Sequence, residues 1–236
     1  MANQQQLNLL RQSVVKWNQW RSENPEIIPN LRKANLSQLN LVGANLDYVN
    51  LEHAILVNTN LSNASLKKAN LSYANLAGVI CFKTILFQAN LTNALLINSD
   101  LSKANLEEAN LSQSYIVDSY LVKTNIANAN LKGCNLTRSY LTGANLMGVN
   151  LQEANLTETD LTASKFNNSQ VNWINNTEKI IERKEELINK QTSATVEDLV
   201  TSFQAETSVT CVLVNYLPSL EIIWQKSKLE KIYQTL

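Results

Sequence analysis

From residue 31 onward a large apolar residue recurs at every fifth position. Leu31, Leu36, Leu41, Leu46 and Leu51 open a series that runs to Leu161 and Phe166, with Cys81, Ile116 and Ile126 as mild departures. Two positions before each stands a small residue, among them Ala34, Ala44, Thr59, Ala69, Ser114, Ser119, Cys134 and Ser164, and between the two there is usually Asn. Neither regular element holds such a stripe on one side. Five steps of about 100° overshoot a helical turn by about 140°, and a strand inverts its face at every odd spacing. The pattern predicts a short extended piece and a corner in each quintet, with the Leu and its small partner turned inward.

These quintets, over about 140 residues from Leu31 to about Val171, resemble the pentapeptide-repeat family, whose consensus is Ala-(Asn/Asp)-Leu-x-x. The resemblance implies a mainly β fold: a right-handed quadrilateral β-helix, a solenoid in which four quintets make one coil, with about seven coils here. The lead-in "WNQWRSENPEIIPNL" is similar to the segment preceding the repeats in many cyanobacterial members.

A rod of stacked coils has two raw ends that need covering. Leu7, Leu10, Val14 and Trp17 are spaced for one face of a single N-terminal helix that ends before Pro25 and Pro29. After Gln170 the five-residue beat stops and helical patterns follow: Ile180, Ile181, Leu187 and Ile188, then Val196 to Phe203 behind a capping box at Thr195 and Asp198, then a stretch after Pro218. The expected organisation is a cap and lead-in over residues 1–30, a β-helix over 31–171 and a C-terminal α-helical module over 172–236.

With twenty residues to a coil, every twentieth side chain lines up. One face then shows Asn50, Asn70, Asn90, Asn110, Asn130 and Asn150, whose amides can bond along the rod. The next shows Ile55, Val57, Leu95, Ile97, Tyr115 and Val117, and the adjoining faces add Ile80, Phe82, Ile85, Phe87, Tyr120 and Tyr140, as well as Val122. The sum is an apolar area above the few hundred Å² a soluble monomer leaves bare, rich in the aromatic residues that favour interfaces. Three covers are open: a protein partner or a second copy of the chain, the chain's own C-terminal helices, or a bulge that turns Phe82 or Phe87 inward. Lys83, Lys103 and Lys123 line up at one corner, where like charges repel unless an anion or Glu107 and Glu108 offset them; a solvated charged edge is expected ahead of an anionic partner.

Composition narrows the function. Lys plus Arg and Asp plus Glu are 20 each, so no overall field steers the chain to nucleic acid or an anionic membrane. No stretch reads as a signal peptide or a span, since Val209 to Trp224 is short and interrupted, and the expectation is a cytoplasmic protein. Cys81 and Cys134 point inward too far apart to bridge, and the single His53 has no evident partner set. Neither a phosphate loop nor metal-ligand spacing is present. No enzyme, cofactor, metal or small-molecule substrate is expected. Some relatives mimic DNA and bind gyrase, but the ten basic and nine acidic residues between Leu31 and Val171 lack the acidic surface this requires. The favoured function is a non-catalytic interaction, scaffold or regulatory protein. A self-contained rod covered by its own tail, dimerising through it, is the alternative.

Overall fold

The computed structural model describes residues 1–167 of the 236. Between Asn30 and Lys165 the backbone makes parallel bridges between residues twenty apart, such as Asn30 to Asn50 and Asn145 to Lys165. The residues preceding the inward Leu therefore fall into four columns, which we label by their members: the 50–70–90 face, the 55–75–95 face, the 80–100–120 face and the 85–105–125 face. Each quintet ends in a tight turn. In the first, the Ala34 N–H donates to the Leu31 carbonyl (3.0 Å), and Lys33 has φ of 60°. A positive φ at the third turn residue alone is the type II geometry, which suits Gly. Here only Gly43, Gly78, Gly133, Gly143 and Gly148 supply it without steric penalty, and the other turns hold residues such as Lys103 and Glu108 in that region at about 1–2 kcal/mol each. Ladder bonds between coils and the packed core offset that strain.

The core is the leucine series. Leu31, Leu36, Leu46 and Leu51 through Leu146 are buried, as are their small partners Ala44, Ala54, Ala64 and Ala74. Toward the last described quintets burial falls: Leu161 and Phe166 are half-buried. Some inward small positions are occupied by hydroxyls for a reason the pattern did not show. Thr59, Ser99 and Ser119 donate to the carbonyls of Leu36, Leu76 and Leu96, 23 residues back, at 2.8, 2.9 and 2.5 Å. Each buried hydroxyl thus has an acceptor, as low-dielectric burial demands.

The expected single N-terminal helix is two, α1 (Gln4–Gln12) and α2 (Val14–Glu23). Ser13, extended at φ −168° and ψ 128°, breaks the run and caps α2 by accepting from the Lys16 N–H. Leu7 and Leu10 of α1 and Trp17 and Arg21 of α2 are buried against the first coil. The cap also supplies the hydrogen bonds that a preceding coil would have made. The Asn3 N–H donates to the Asn30 carbonyl, Arg11 to that of Asn35, Trp17 Nε1 to that of Asn45 and Arg21 to that of Asp47. Asn18 gives to Gly43 and accepts from the Asn45 N–H, copying one bridge with a side-chain amide. Burial lowers the Arg21 pKa, an effect Asp47 opposes.

Cys81 and Cys134 do point inward, as free buried thiols. Desolvation first of all pushes both up to about 12, against weaker hydrogen bonds from Thr84 and Ser114. Because these folded-state values lie above that of an exposed thiol, near 8.5, their stabilising effect is whole below pH 8.5 and is lost as pH climbs toward 12. Stability should fall by about 1.4 kcal/mol per pH unit per thiol above that point. Urea midpoints from pH 8 to 10.5, with a Cys81→Ala/Cys134→Ala chain to subtract tyrosine ionisation, measure it. Peptide mapping after iodoacetamide treatment of the native chain should find both cysteines unlabelled.

Candidate protein-docking face

The outward positions follow a rule that the repeat itself explains. Where Asn precedes the inward Leu, its Oδ1 accepts the N–H two residues on: Asn50 from Glu52, Asn75 from Ala77, Asn135 from Thr137, at 3.0 to 3.1 Å. Asp100 does the same for Ser102. This local bond satisfies a turn donor that the coil-to-coil ladder leaves free, which is why Asn suits the position; where Ser65 takes the slot, Asp47 one coil below accepts the Lys67 N–H instead. Ile55, Ile80, Ile85, Leu95, Tyr115, Tyr120 and Tyr140 occupy the same slot and cannot accept. The N–H groups of Val57, Phe82, Phe87, Ile97, Val117, Val122 and Thr142 are accordingly without a protein acceptor. At about 0.5–1.5 kcal/mol per net bond, the chain forgoes several kcal/mol in order to display apolar side chains.

All of these side chains point away from the leucine column, and the phase on either side is unbroken, so no bulge turns Phe82 or Phe87 inward. They do not form one flat area. Ile55, Leu95 and Tyr115 share the 55–75–95 face, beside a second line of Val57, Ala77, Ile97 and Val117. Asn75 interrupts the first line and nothing polar interrupts the second. Ile80, Tyr120 and Tyr140 share the next face with Phe82 and Val122, around Asp100. Ile85 and Phe87 lie on the fourth face, on the far side of the rod from Leu95 and joined to the rest only around the Phe82 corner. Leu95 (37%), Ile55 (41%), Tyr120 (42%), Tyr140 (46%) and Tyr115 (50%) are exposed, while Val57, Ile80, Phe82, Ile85, Phe87, Ile97 and Val117 are half-buried. The Tyr120 and Tyr140 rings stack, 5.1 Å apart and 9° from parallel. Burial first, then Tyr140, Asp100 and Asp118, raise the Tyr120 pKa.

The lysine corner is more than the solvated charged edge its sequence suggests. Lys83 and Lys103 each place their ammonium over the Phe82 ring, 5.3 Å from its centre, a cation–π contact that a half-buried ring makes favourable. Glu108 instead accepts from Gln88 and Glu107 from Asn125. The expected amide ladder exists in pieces: Asn90 donates to Asn70, Asn130 to Asn110 and Asn150 to Asn130. A second one, Asn145 to Asn125 to Asn105, runs up the 85–105–125 face, and the same twenty-residue alignment of Asn there could have signalled it. His53 stacks on Tyr73 at 5.0 Å and lies 3.5 Å from Glu52, which pairs with Arg32.

Among the described residues no group of His, Cys, Asp and Glu could hold a metal ion, and no helix is long and apolar enough to cross a membrane. A hollow of about 360 Å³ lies under the cap, lined by Asn3, Gln5, Gln6, Leu9, Trp20 and Ile27, and holds no acid–base pair.

No curated protein matches the chain. Solved structures similar to it include three that match over most of their own length. HetL, a pentapeptide repeat protein involved in heterocyst differentiation regulation from Nostoc sp. strain PCC 7120, is 22% identical over 57% of this chain and 88% of its own, with a TM-score of 0.38. Rfr23 from Cyanothece 51142 is 27% identical over 64% and 97%, also at 0.38. Full-length QnrB1, a plasmid-mediated fluoroquinolone resistance protein, is 17% identical over 65% and 84%, at 0.26. Eight copies of the pentapeptide repeat match residues 30–53, 44–80, 84–121 and 124–162, and the chain therefore belongs to the pentapeptide-repeat family, whose members are right-handed β-helix solenoids.

Proposed function

We propose that this chain is a non-catalytic interaction protein whose rod presents the 55–75–95 face and its neighbour to a protein partner. One observation carries the reading: apolar side chains take the slots where Asn would close a turn, and the turn donors go unpaired. A fold that gains nothing internally from Leu95 or Tyr115 retains them for a contact outside it. The same contact would exclude water from the bare N–H groups and could pair them. Proteins of this family are generally non-catalytic structural or interaction proteins, which agrees. We infer a cytoplasmic location, where the free buried thiols of Cys81 and Cys134 would stay reduced. A DNA-mimic role is disfavoured, because Arg32–Glu52, Lys132–Glu153 and Arg138–Asp118 pair charges of both signs along the rod instead of leaving an acidic surface.

The boundaries near residues 30 and 171, the count of about seven coils and the C-terminal helical module belong to this proposal. The three amphipathic stretches after Gln170 lie outside the described residues. Truncation after Val171 tests their part. If binding of a hydrophobic dye rises several-fold on truncation, the tail is the natural cover of the apolar faces. If the full chain already binds dye and Leu95→Ser/Tyr115→Ser abolishes it, the face is free for a partner. A shortened rod that stays monomeric and dye-negative would refute the docking assignment.

A further inference from the structure

The 80–100–120 face has a charge pattern that the apolar reading alone does not use. Its mid-line is apolar and aromatic: Ile80 beside Phe82 on one level, Tyr120 beside Val122 two levels on. Between them the coil of Asp100 and Ser102 forms a dip, both residues being 8% exposed. One edge and its adjoining line hold Asp100, Asp118, Glu158 and Asp160 with Arg138, while the other edge holds Lys83, Lys103 and Lys123. Level by level, Asp100 stands opposite Lys103 and Asp118 opposite Lys123, whereas Glu158 and Asp160 lie beyond the last lysine and the corner across from Lys83 is Gly78. Among the described residues none of the three lysines has a carboxylate within ion-pair distance. Asp118 is held by Arg138 through two bonds of 2.6 and 2.7 Å, so it is fixed in place at the edge.

We propose that a second copy of this chain docks on this face, the two rods lying side by side and parallel about a two-fold axis that runs along their length. The assignment rests on the reading of the rod as an interaction surface and names the partner of one of its faces. Symmetry selects the orientation. A two-fold axis along the rods keeps each coil at its own level and sets one copy's left edge against the other's right edge. Asp118 then meets the partner copy's lysine at position 123, Ile80 the phenylalanine at 82 and Tyr120 the valine at 122, while Asp100 meets the serine at 102, beside which the lysine at 103 can reach it. A two-fold axis across the rods would set left edge on left edge, carboxylates facing carboxylates and lysines facing lysines. Opposite edges on one flat, partly aromatic strip make the parallel pair self-complementary, as an isologous interface must be. Every contact occurs twice. The dip at Asp100 and Ser102 leaves room between the aromatic levels for the crossing lysine, which would leave its Phe82 perch to reach a carboxylate.

Sedimentation equilibrium of the full chain should show a monomer–dimer equilibrium that weakens in 0.5 M NaCl. Lys103→Glu/Lys123→Glu should raise the dissociation constant at least about tenfold, while the monomer, melted at a concentration too low for dimer, loses only the small Lys103–Phe82 contact. Asp100→Asn, which keeps the turn bond because Asn is the usual residue there, should weaken it similarly. An independent arm needs no variant: carbodiimide cross-linking of mixed ¹⁴N and ¹⁵N chains should join the Lys103 peptide of one copy to the Asp100 peptide of the other. A chain that stays monomeric at 100 μM overturns the proposal, as does a dimer whose isotope-mixed links avoid these residues or whose affinity the lysine variants leave unaltered. The broader reading fails separately: loss of the dimer with capture of a partner by the Leu95 face intact removes only the inference, and a dimer with an inert, dye-negative Leu95 face removes only the function.

Discussion

Replacing Trp17 with Ala should cost about 3–5 kcal/mol, the largest loss expected from any single residue of the N-terminal cap. The side chain is fully buried, its ring lies 5.3 Å from that of Trp20, and its Nε1 donates to the Asn45 carbonyl at 2.7 Å. Truncation removes the packing and leaves that carbonyl, which closes one side of the first coil, without a donor. The neighbouring bonds from Asn18 and Arg21 depend on the same helix and should loosen with it. The variant should melt well below the parent and self-associate, because an uncapped coil is a strand edge of the kind that recruits another chain. Trp17→Phe separates the two effects. It keeps most of the apolar volume and should lose only about 1 kcal/mol, the value of the bond. Melting temperature with light scattering reads both.

Leu106→Ala should lose about 2–5 kcal/mol, and Leu161→Ala much less. Both belong to the same five-residue series, but Leu106 is fully buried between coils, whereas Leu161 is half-buried at the last described level. The narrow interior cannot collapse onto a missing Leu, because every layer above and below is fixed by ladder bonds of about 2.7 to 3.0 Å, such as those from the N–H of Leu106 and Asn125. The cavity term is therefore near the upper end for Leu106. Urea midpoints for the pair, measured side by side, should differ by at least a third of the parent midpoint. Equal losses would mean that the rod does not sort its leucines by level as described.

The five-residue beat made the rod legible because it excludes both regular elements and leaves one geometry for Leu and Ala to share. It also makes the four columns legible, and so assigns Tyr115 and Tyr120 to separate outward faces from their spacing alone. What it could not convey was the interior and corner chemistry. Thr59, Ser99 and Ser119 read as merely small, yet each hydroxyl serves a carbonyl 23 residues earlier. The break at Ser13 was hidden inside a continuous apolar spacing, because Leu7, Leu10, Val14 and Trp17 keep helical intervals across it. Ser followed by Val, Val and Lys is a weak capping signal, and propensity alone does not stop a helix there. By charge alone Lys83 and Lys103 read as a solvated edge, whereas both ammonium groups lie over the π-face of Phe82. For the docking site, the sequence listed the apolar residues but spread them as one area. The bridges show that Ile85 and Phe87 look the other way from Leu95, and that what unites the set is the forfeited turn bond.

That forfeited bond offers the sharpest test. Leu95→Asn/Tyr115→Asn returns two side chains to the form the repeat prefers, and each new Oδ1 can accept the N–H of Ile97 or Val117. Thermal melting and partner or dye binding of this one variant should move in opposite directions: the melting temperature holds or rises by a few degrees, and binding at the 55–75–95 face is lost. A variant that melts lower and binds as before would contradict the account, since Leu95 and Tyr115 would then be serving the fold and not a partner.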